Sequence, residues 1–578
     1  MDVPLIVPAF VVLAVAVLMP LLPRRAGHGL GFLATGGASV WSLLAPAGVH
    51  IPMQFLGFDA VLLQVDTLSR LMGVIFGLIG AAAVLYSFST GASNRQTGFA
   101  LGYVGTSLGA VFAGDWLTMV FFWELMAVTS TLLVWDYGGE AVRAGFRYAI
   151  YHGISGSLLM AAIVWHYMEV GSFLFSASHG LSPGIPTALA AVGIGINVGF
   201  VGLHTWLPDT YPRPHVAASV FLSVYTTKTG VYGLARVFPD GNLAVAYMGA
   251  AMAMIGVIYA LLQNDMRRLL SYHIQSQVGY MVAGVGIGTA LATAGAFAHV
   301  FNHILYKALL FMTAGVVVAK TGEENLKYLG ALKEHLPITA LAFTVAALSI
   351  SGFPGFNGFV SKGLIGAAAH HEHLMGIYYL LLAAGVGTFM SFIKFGYYAF
   401  FRHADREYEV ERATVGQAVS MLGVASLLVL FGVYPDLLYS ILPGATHGFA
   451  TFSLSHIAEG LILAALGVIG FVIVKKPLSH VGRVPDVDAI YNPAVFYGTR
   501  GLVRGTTTLF AGVDRVVSSW SYAIAETLSS PYRLLTDLRT AIWPNGPDVT
   551  RGSLRATIAA SIGILVVVLS GLLFGLLV

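Results

Sequence analysis

Apolar stretches of about 20 residues recur along nearly the whole chain, and they limit the folds that are open to it. The first runs from Val3 to Leu22, and the last begins near Ser553. Each is long enough for a helix to cross the hydrocarbon core of a bilayer. Charged residues make up only 10% of the chain, whereas a soluble domain normally carries about 25%. This is too little charge to cover a water-facing surface, so we predict a lipid bilayer as the solvent.

The predicted fold is an all-α polytopic membrane protein with about 14–16 transmembrane helices. The predicted spans are 3–22, 28–46, 70–89, 97–113, 116–135, 145–168, 186–206, 215–237, 243–262, 270–288, 291–318, 336–353, 359–400, 414–433, 456–474 and 553–577. The first of these is interpreted as a span and not as a signal peptide, because it lacks a basic leading segment and Pro23-Arg24-Arg25 follows it.

Basic residues alternate along the chain in a way that predicts its orientation, since Lys and Arg favour the cytoplasmic side. With the N-terminus outside, the inner segments carry Arg24, Arg25, Arg95, Arg143, Arg147, Arg213, Arg267, Arg268, Lys320, Lys327, Lys333, Arg402, Arg406, Arg412, Lys475 and Lys476. The outer segments carry Asp59, Asp66, Glu169, Asp240 and Asp436, with almost no Lys or Arg. To keep this alternation, residues 359–400 must cross only once, with an interruption at the polar run His370 to His373.

The region 477–552 differs from the rest because basic and acidic residues alternate there with Leu, Val, Phe and Trp. Pro493, Pro531 and Pro544 are expected to interrupt it. We predict one or more amphipathic helices at the membrane surface or along a neighbouring subunit, followed by a last transmembrane helix at 553–578. The segment 1–95 is assigned to N-terminal spans, and 403–476 to additional spans.

Several function classes are excluded by composition. The chain has no cysteine, which excludes disulfides and cysteine-ligated clusters. Its net charge is only +3, and the basic residues lie between apolar runs, so nucleic-acid binding is not predicted. The histidines have no third ligand at a suitable spacing, so neither a metal nor another cofactor is predicted.

Charged side chains inside the apolar spans are the candidate functional residues, because charge at membrane depth is costly. Glu124 and Lys228 lie within predicted spans, and Lys362 lies near a predicted helix break. His299, His303 and Lys307 are spaced i, i+4, i+8 and therefore share one helix face. Glu124 has an alternative interpretation as a structural ion-pair partner.

The nature of these residues indicates a proton relay. The proton affinity of a buried lysine responds to neighbouring charges and to water, and histidine titrates near neutrality. His204 and Lys394 are secondary candidates nearer the ends of their spans. A structural role is favoured for both, with Lys394 extending its ammonium group towards the membrane surface.

Ordered motifs over about residues 60–400 resemble the antiporter-like subunits shared by respiratory complex I, membrane-bound hydrogenases and Mrp-type Na+/H+ antiporters. The matching segments are Asp66–Ser69, Trp123–Leu125, His204–Asp209, Gln263–Tyr272, Gln277–Tyr280, His299–Phe311, Leu348–Pro354 and Gly358–Lys362. The Mrp-type D subunit is most similar, through Leu207–Pro212, Thr227–Gly233 and Ser271–Ile274. The tail, from Asp486–Tyr491 onwards, is more similar to the distal complex I subunit with its lateral helix.

The resemblance implies two inverted five-helix repeats with broken helices, at 96–238 and 239–402. The first-half carboxylate of the family falls on Glu124, its bridging lysine on Lys228 and its second-half terminal residue on Lys362. Its central lysine falls on Lys307, with His299 and His303 beside it.

Asn197 is a departure from the family, which usually has a lysine in the segment that reads Gly195 to Gly199 here. Glu124 then either changes its proton affinity or pairs with Lys228 or a cation. Asn197 is also a candidate Na+ ligand, since carboxylate and amide oxygens suit hard cations.

The leading functional hypothesis is a proton-translocating subunit of a multisubunit Na+(cation)/H+ antiporter in the inner (plasma) membrane. Its expected partners are other membrane subunits, protons, Na+ and the bilayer. One alternative is a proton-pumping subunit of a complex I-like or hydrogenase-like redox complex; the chain would belong to an enzyme, a translocase, only in a complex I-like NADH:quinone oxidoreductase. Two others are the membrane subunit of an inorganic-carbon uptake complex, paired with a soluble zinc protein, and a structural scaffold.

Overall fold

The computed structural model describes residues 6–403, 408, 410–446, 448–482, 484–542, 544–545 and 554–577. It divides into two units, Met1–Pro485 and Asp486–Val578. The predicted inner residue Arg406, the first residues of the first span and residues 546–553 lie outside the described residues.

Helices make up most of the described part of the first unit. They are α1 (Pro8–Leu18), α2 (Arg24–Leu44), α3 (Thr67–Ser89), α4 (Asn94–Phe112), α5 (Trp116–Trp135), α6 (Glu140–Val170), α7 (Ile185–Val198), α8 (Trp206–Thr210), α9 (Val216–Leu222), α10 (Tyr225–Val237), α11 (Leu243–Leu262), α12 (Met266–Ile287), α13 (Ala290–Thr321), α14 (Leu332–His335), α15 (Pro337–Ser351), α16 (Asn357–His371), α17 (Met375–Gly396), α18 (Val415–Val433), α19 (Asp436–Tyr439) and α20 (Leu454–His480). Within the described residues, eight helices are long and apolar enough to cross a membrane. The prediction of an all-α polytopic membrane protein is confirmed.

One element was missed by the search for long apolar spans: a β-hairpin between α2 and α3. Strand β1 (Gly48–Phe55) pairs antiparallel with β2 (Phe58–Val65). The two residues of the turn, Leu56 and Gly57, have φ of 53° and 84°. Positive φ at both turn positions suits the right-handed twist of a two-residue hairpin. Each strand is eight residues long, too short to register as a transmembrane helix.

Helices α7 and α15 end in the same way, each at a glycine. Gly199 and Gly352 are left-handed, with φ of 80° and 86°. The backbone N–H of the residue after each glycine donates to a carbonyl in the last turn of the helix. Phe200 donates to the Gly195 carbonyl at 2.8 Å, and Phe353 donates to the Leu348 carbonyl at 3.0 Å. Such caps let a helix stop without a side-chain cap. One of these helix ends lies in each of the two repeats that the resemblance implies, 96–238 and 239–402, and the repeat boundaries stay a prediction.

Residues 359–400 are divided differently from the prediction of one interrupted helix. They form α16 and α17, separated by a turn in which His373 has φ of 55°. With a π-helical turn at Tyr397–Phe401, α17 reaches 27 residues and is long enough to cross alone. The interruption instead precedes α16, at 352–356. Two crossings between 337 and 401 are still compatible with the charge alternation, with α15 and α16 together forming the broken one.

The second unit contains α21 (Asp488–Ser529), α22 (Pro531–Ile542) and α23 (Leu554–Leu577). No described residue of α21 is buried, and its apolar side chains, Trp520 among them, are exposed. Helices are therefore present in both predicted regions, and Ser561–Leu572 of α23 is a shorter apolar segment. The amphipathic and transmembrane roles of these helices stay predictions. Pro493 was expected to interrupt the region but lies inside α21, whereas Pro531 begins a helix as its missing N–H favours.

Small residues allow α11 and α12 to pack with their backbones in contact. A Cβ atom added to Gly279 would lie 2.4 Å from the Ala253 nitrogen, and one on Gly249 would lie 2.2 Å from the Ala283 nitrogen. Close approach of this kind is typical of helix pairs in membranes. It fixes α12, which carries part of the site, against its neighbour.

We expect Gly279→Ala to destabilise the protein by about 1–3 kcal/mol, because the methyl group overlaps the α11 backbone. The check is the midpoint of thermal unfolding of the detergent-purified protein. Gly423→Ala on α18 is the matched control, since a Cβ there meets nothing within 4 Å, and its midpoint should be unchanged or slightly raised. Equal midpoints for the two variants would contradict the packing argument.

Candidate functional site

The candidate relay residues lie on helices of the first unit that are largely buried. Lys228, His299, His303 and Lys307 are fully buried. Glu124 on α5 and Lys362 on α16 are partly exposed. Buried ionisable groups in apolar helices are functional candidates because their desolvation is costly.

The second-half residues form one connected cluster between α13 and α16. His299 hydrogen-bonds through Nδ1 to the Ser361 hydroxyl at 2.8 Å and through Nε2 to the Tyr306 hydroxyl at 3.2 Å. The Tyr306 ring lies 5.3 Å from that of His303. The Tyr280 ring lies 5.5 Å from His299 and 4.9 Å from the Lys362 ammonium group. The structure therefore brings together His299, His303 and Lys362 as predicted.

Lys307 on α13 has no hydrogen-bond partner among the described residues. Its ammonium group is 6.0 Å from the Phe392 ring. The ring of His273 lies 4.8 Å from that of Phe392 on α17. His273 is fully buried, and neither nitrogen of its ring has a described partner. Sequence reasoning used His273 only as part of a motif, although a histidine within a predicted span is itself a signal.

Lys228 is held by a break in its own helix. The predicted span 215–237 is divided into α9 and α10, and Lys228 donates to the Ser223 carbonyl between them. Carbonyls at a helix end lack their intrahelical partner, so the ammonium group supplies one. The charge of Lys228 also interacts with His303 and Lys307 in the second half.

Two further lysines bind helix ends in the same manner. Lys362 donates to the Ile350 carbonyl of α15 at 2.7 Å. Lys394 donates to the carbonyls of Leu261 and Gln263 at the end of α11, at 2.8 and 2.7 Å. Lys394 is fully buried, so the expectation that it extends to the membrane surface was wrong: the free carbonyls of α11 hold it inside.

In the first half, Glu124 packs against α6. A Cβ atom on Gly156 of α6 would lie 1.2 Å from Glu124 Oε1. That oxygen is buried without a hydrogen-bond partner, and no described residue forms an ion pair with Glu124. Direct pairing with Lys228, one of the alternatives for Glu124, is therefore not found among the described residues.

Asn197 is paired with a histidine that sequence reasoning missed. His152 on α6 donates from Nδ1 to Asn197 Oδ1 at 2.7 Å, and both residues are fully buried. The His152 ring lies 4.0 Å from that of Tyr148 and 4.6 Å from that of Trp206. His152 Nε2 and Asn197 Nδ2 have no described partner. His152 is one helical turn before Gly156, so it shares the face that receives Glu124.

Several motif residues prove to be structural. Asp66 and Ser69 form a reciprocal capping box at the start of α3, and Asp66 also pairs with Arg236. Asp209 forms ion pairs with Arg147 and, at 3.6 Å, with Arg268. The secondary candidate His204 is fully buried, with its ring 6.3 Å from that of Tyr272.

Among the residues that the structure describes, no group of three or more His, Asp or Glu side chains is placed to hold a metal ion.

Comparison with known proteins defines the family to which this fold and site belong. The sequence profile of the NADH:quinone oxidoreductase/Mrp antiporter transmembrane family matches residues 113–391. The chain is a member of that family, and the predicted resemblance is confirmed.

Individual relatives span more than one kind of complex. Hydrogenase-4 component B of Escherichia coli is 28% identical over 72% of this chain and 69% of its own length. The D-type subunit of the Na(+)/H(+) antiporter of Alkalihalophilus pseudofirmus is 29% identical over 66% of this chain and 82% of its own.

Two solved complexes contain chains of similar fold. The Mrp complex from a Dietzia species has one with a TM-score of 0.74 and 24% identity, over 85% of this chain. This chain spans only 59% of that larger chain. The membrane-bound sulfane sulfur reductase, an archaeal respiratory membrane complex, has one with a TM-score of 0.71 and 26% identity, over 98% of this chain and 100% of its own.

The contrast between two buried lysines leads to a stability prediction. We expect Lys394→Met to lower the free energy of unfolding by about 1–3 kcal/mol, because two part-buried carbonyls at the end of α11 lose their donor. Lys307→Met should leave stability unchanged or raise it, since it removes a desolvated ammonium group that has no described hydrogen-bond partner. Thermal unfolding of the purified protein measures both, and an equal loss in the two variants would contradict this assignment.

Proposed function

We propose that the chain is a proton-translocating membrane subunit of a multisubunit Na+(cation)/H+ antiporter in the plasma membrane. The observation that carries the proposal is the set of buried Lys and His side chains on α13 and beside the breaks that precede α10 and α16, on the residues predicted from the family motifs. The similarity to the D-type antiporter subunit supports cation/proton exchange, and the solved neighbours support a place among other membrane subunits.

In the proposed mechanism a proton steps from Lys228 to Lys307, with His299 and His303 beside it, and on to Lys362, or in the reverse direction. Two of these lysines are held by carbonyls at helix ends, a neutral acceptor that binds the ammonium group without an opposing charge. Lys228 and Lys307 are close enough to interact electrostatically, and like charges repel strongly in a medium of low dielectric constant. Arrival of a proton at one lysine therefore favours its departure from the other.

The first half of the relay uses a different set of groups. Glu124 has an unpartnered oxygen, and asparagine at 197 cannot carry a proton charge. In our proposal His152 supplies the titratable group, held in position by Asn197 and by its ring contacts with Tyr148 and Trp206. Water between the unpartnered atoms of Glu124 and His152 would connect them, as is usual for buried polar groups without a direct partner.

Lys307→Met should reduce transport at least about tenfold, because it removes the central proton carrier. Everted membrane vesicles containing the whole complex would be given a Na+ pulse, and proton movement followed with a pH-sensitive dye. Lys394→Met is the matched control and should be much milder, since the described hydrogen bonds of Lys394 go to the end of α11 and none joins it to a relay residue. Near-normal transport by a correctly inserted Lys307→Met protein would contradict the relay.

A second candidate function is a proton-pumping subunit of a redox complex. The observation favouring it is the similarity to the sulfane sulfur reductase chain over 98% of this chain, a range that takes in nearly all of α21 to α23. The same vesicles discriminate between the candidates: proton movement upon addition of an electron donor, with none upon addition of Na+, would favour it. Copurification of quinone-reductase or hydrogenase subunits, and not of small antiporter-type membrane subunits, would point the same way.

Asn197→Lys tests the first half. An ammonium group at 197 would replace the amide that positions His152 and would give Glu124 a cation, so we expect the pH and Na+ dependence of transport to shift. Initial rates over a range of pH and Na+ concentrations in the vesicles measure this. Unchanged dependences would show that Asn197 takes no part in the relay.

A further inference from the structure

Helix α20 carries two polar side chains that its surroundings do not explain. Residues Leu454–Leu478 form a span of mean hydropathy 2.5, with only 17% of its most apolar window buried. His456 and Glu459 interrupt this apolar surface three residues apart, so they lie on one face of the helix. A carboxylate there is costly unless it has a function.

That face borders a cavity of about 40 Å³, lined by Lys362, Tyr280, Tyr378, Gly363, His456 and Glu459 among other residues. The Tyr378 hydroxyl donates to Glu459 Oε2 at 2.8 Å. A water molecule needs roughly 10–15 Å³ of such space, so the cavity is large enough for at least two. Lys362 is also the one relay lysine that is partly exposed, as expected for a side chain beside this cavity.

His456 is oriented so that one ring nitrogen faces the relay. Its Nδ1 donates to the Thr451 carbonyl at 2.8 Å, which leaves a lone pair on Nε2. A Cβ atom on Gly363 would lie 2.4 Å from Nε2, so this nitrogen lies against the residue that follows Lys362. The ring is stacked on Phe359 at 3.9 Å, which fixes its orientation.

We propose that Glu459 and His456 form the outer end of the proton route, with Tyr378 as a positioning residue. This rests on the proposed function. A proton leaves the Lys362 ammonium group through cavity water for Glu459 or His456 Nε2, and then passes to external water. Tyr378 keeps its own proton and orients the carboxylate. The charge alternation places the start of α20 outside, and Glu459 follows Leu454 by about 8 Å of helix.

The absence of cysteine from the chain makes a charge-rescue test possible. Glu459→Cys should lower transport at least about tenfold in the intact complex. Treating cells from outside with a methanethiosulfonate that adds a carboxylate should restore a large part of the activity. The reagent that adds trimethylammonium should not, because the route needs a carboxylate that can accept and release a proton at this position. Ala458→Cys, next to Glu459 but exposed away from the cavity, is the control that neither reagent should affect.

A second variant guards against misfolding. Tyr378→Phe removes only the hydroxyl and should slow transport severalfold, whereas Tyr379→Phe, on the exposed neighbour, should not. Lys362→Met separates the two proposals. If it is inactive while Glu459→Cys, Glu459→Gln and Tyr378→Phe transport normally, this inference is wrong and the proposed function stands. If Lys362→Met transports normally, the proposed function and this inference both fail.

Discussion

The hydrogen bond from a lysine ammonium group to a carbonyl at a helix end is the interaction on which the rest of this structure depends. Within a bilayer every backbone polar group must find a partner inside the protein. The helix end at Ser351 and the break at Ser223 leave carbonyls that Lys362 and Lys228 occupy. At these two breaks the free carbonyls and the buried lysines therefore satisfy each other.

This arrangement also explains why the same residues are suited to the proposed transport. A carbonyl holds an ammonium group by a dipole, so the lysine can give up its proton without leaving an unpaired carboxylate behind. A salt bridge at membrane depth would hold the proton much more firmly. The ion pairs of Asp209 with Arg147 and Arg268, in contrast, involve a motif residue that has a structural role.

How much of the site could be predicted depended on how local each signal was. Glu124, Lys228 and Lys307 were identified because a charge within an apolar span is visible in a short window. His152 was missed because it follows a stretch with several polar residues, and only the fold brings it to Asn197. The helix break at Ser223 was missed because neither Gly nor Pro marks it.

Glu459 was missed for a related reason: the first residues of an apolar span are interpreted as an interfacial end, where a carboxylate is common. Only the packing of α20 beside α16 and α17 shows that it borders the cavity next to Lys362. Whether a contact can be predicted therefore depends on how far apart its residues lie in the sequence. Constraints within one helix are readable from the sequence, whereas pairings between helices, His152 with Asn197 and Tyr378 with Glu459, require the three-dimensional structure. If a driving force acts on this chain, it must change such interhelical pairings, because the carbonyl–lysine bonds within the broken helices are satisfied already.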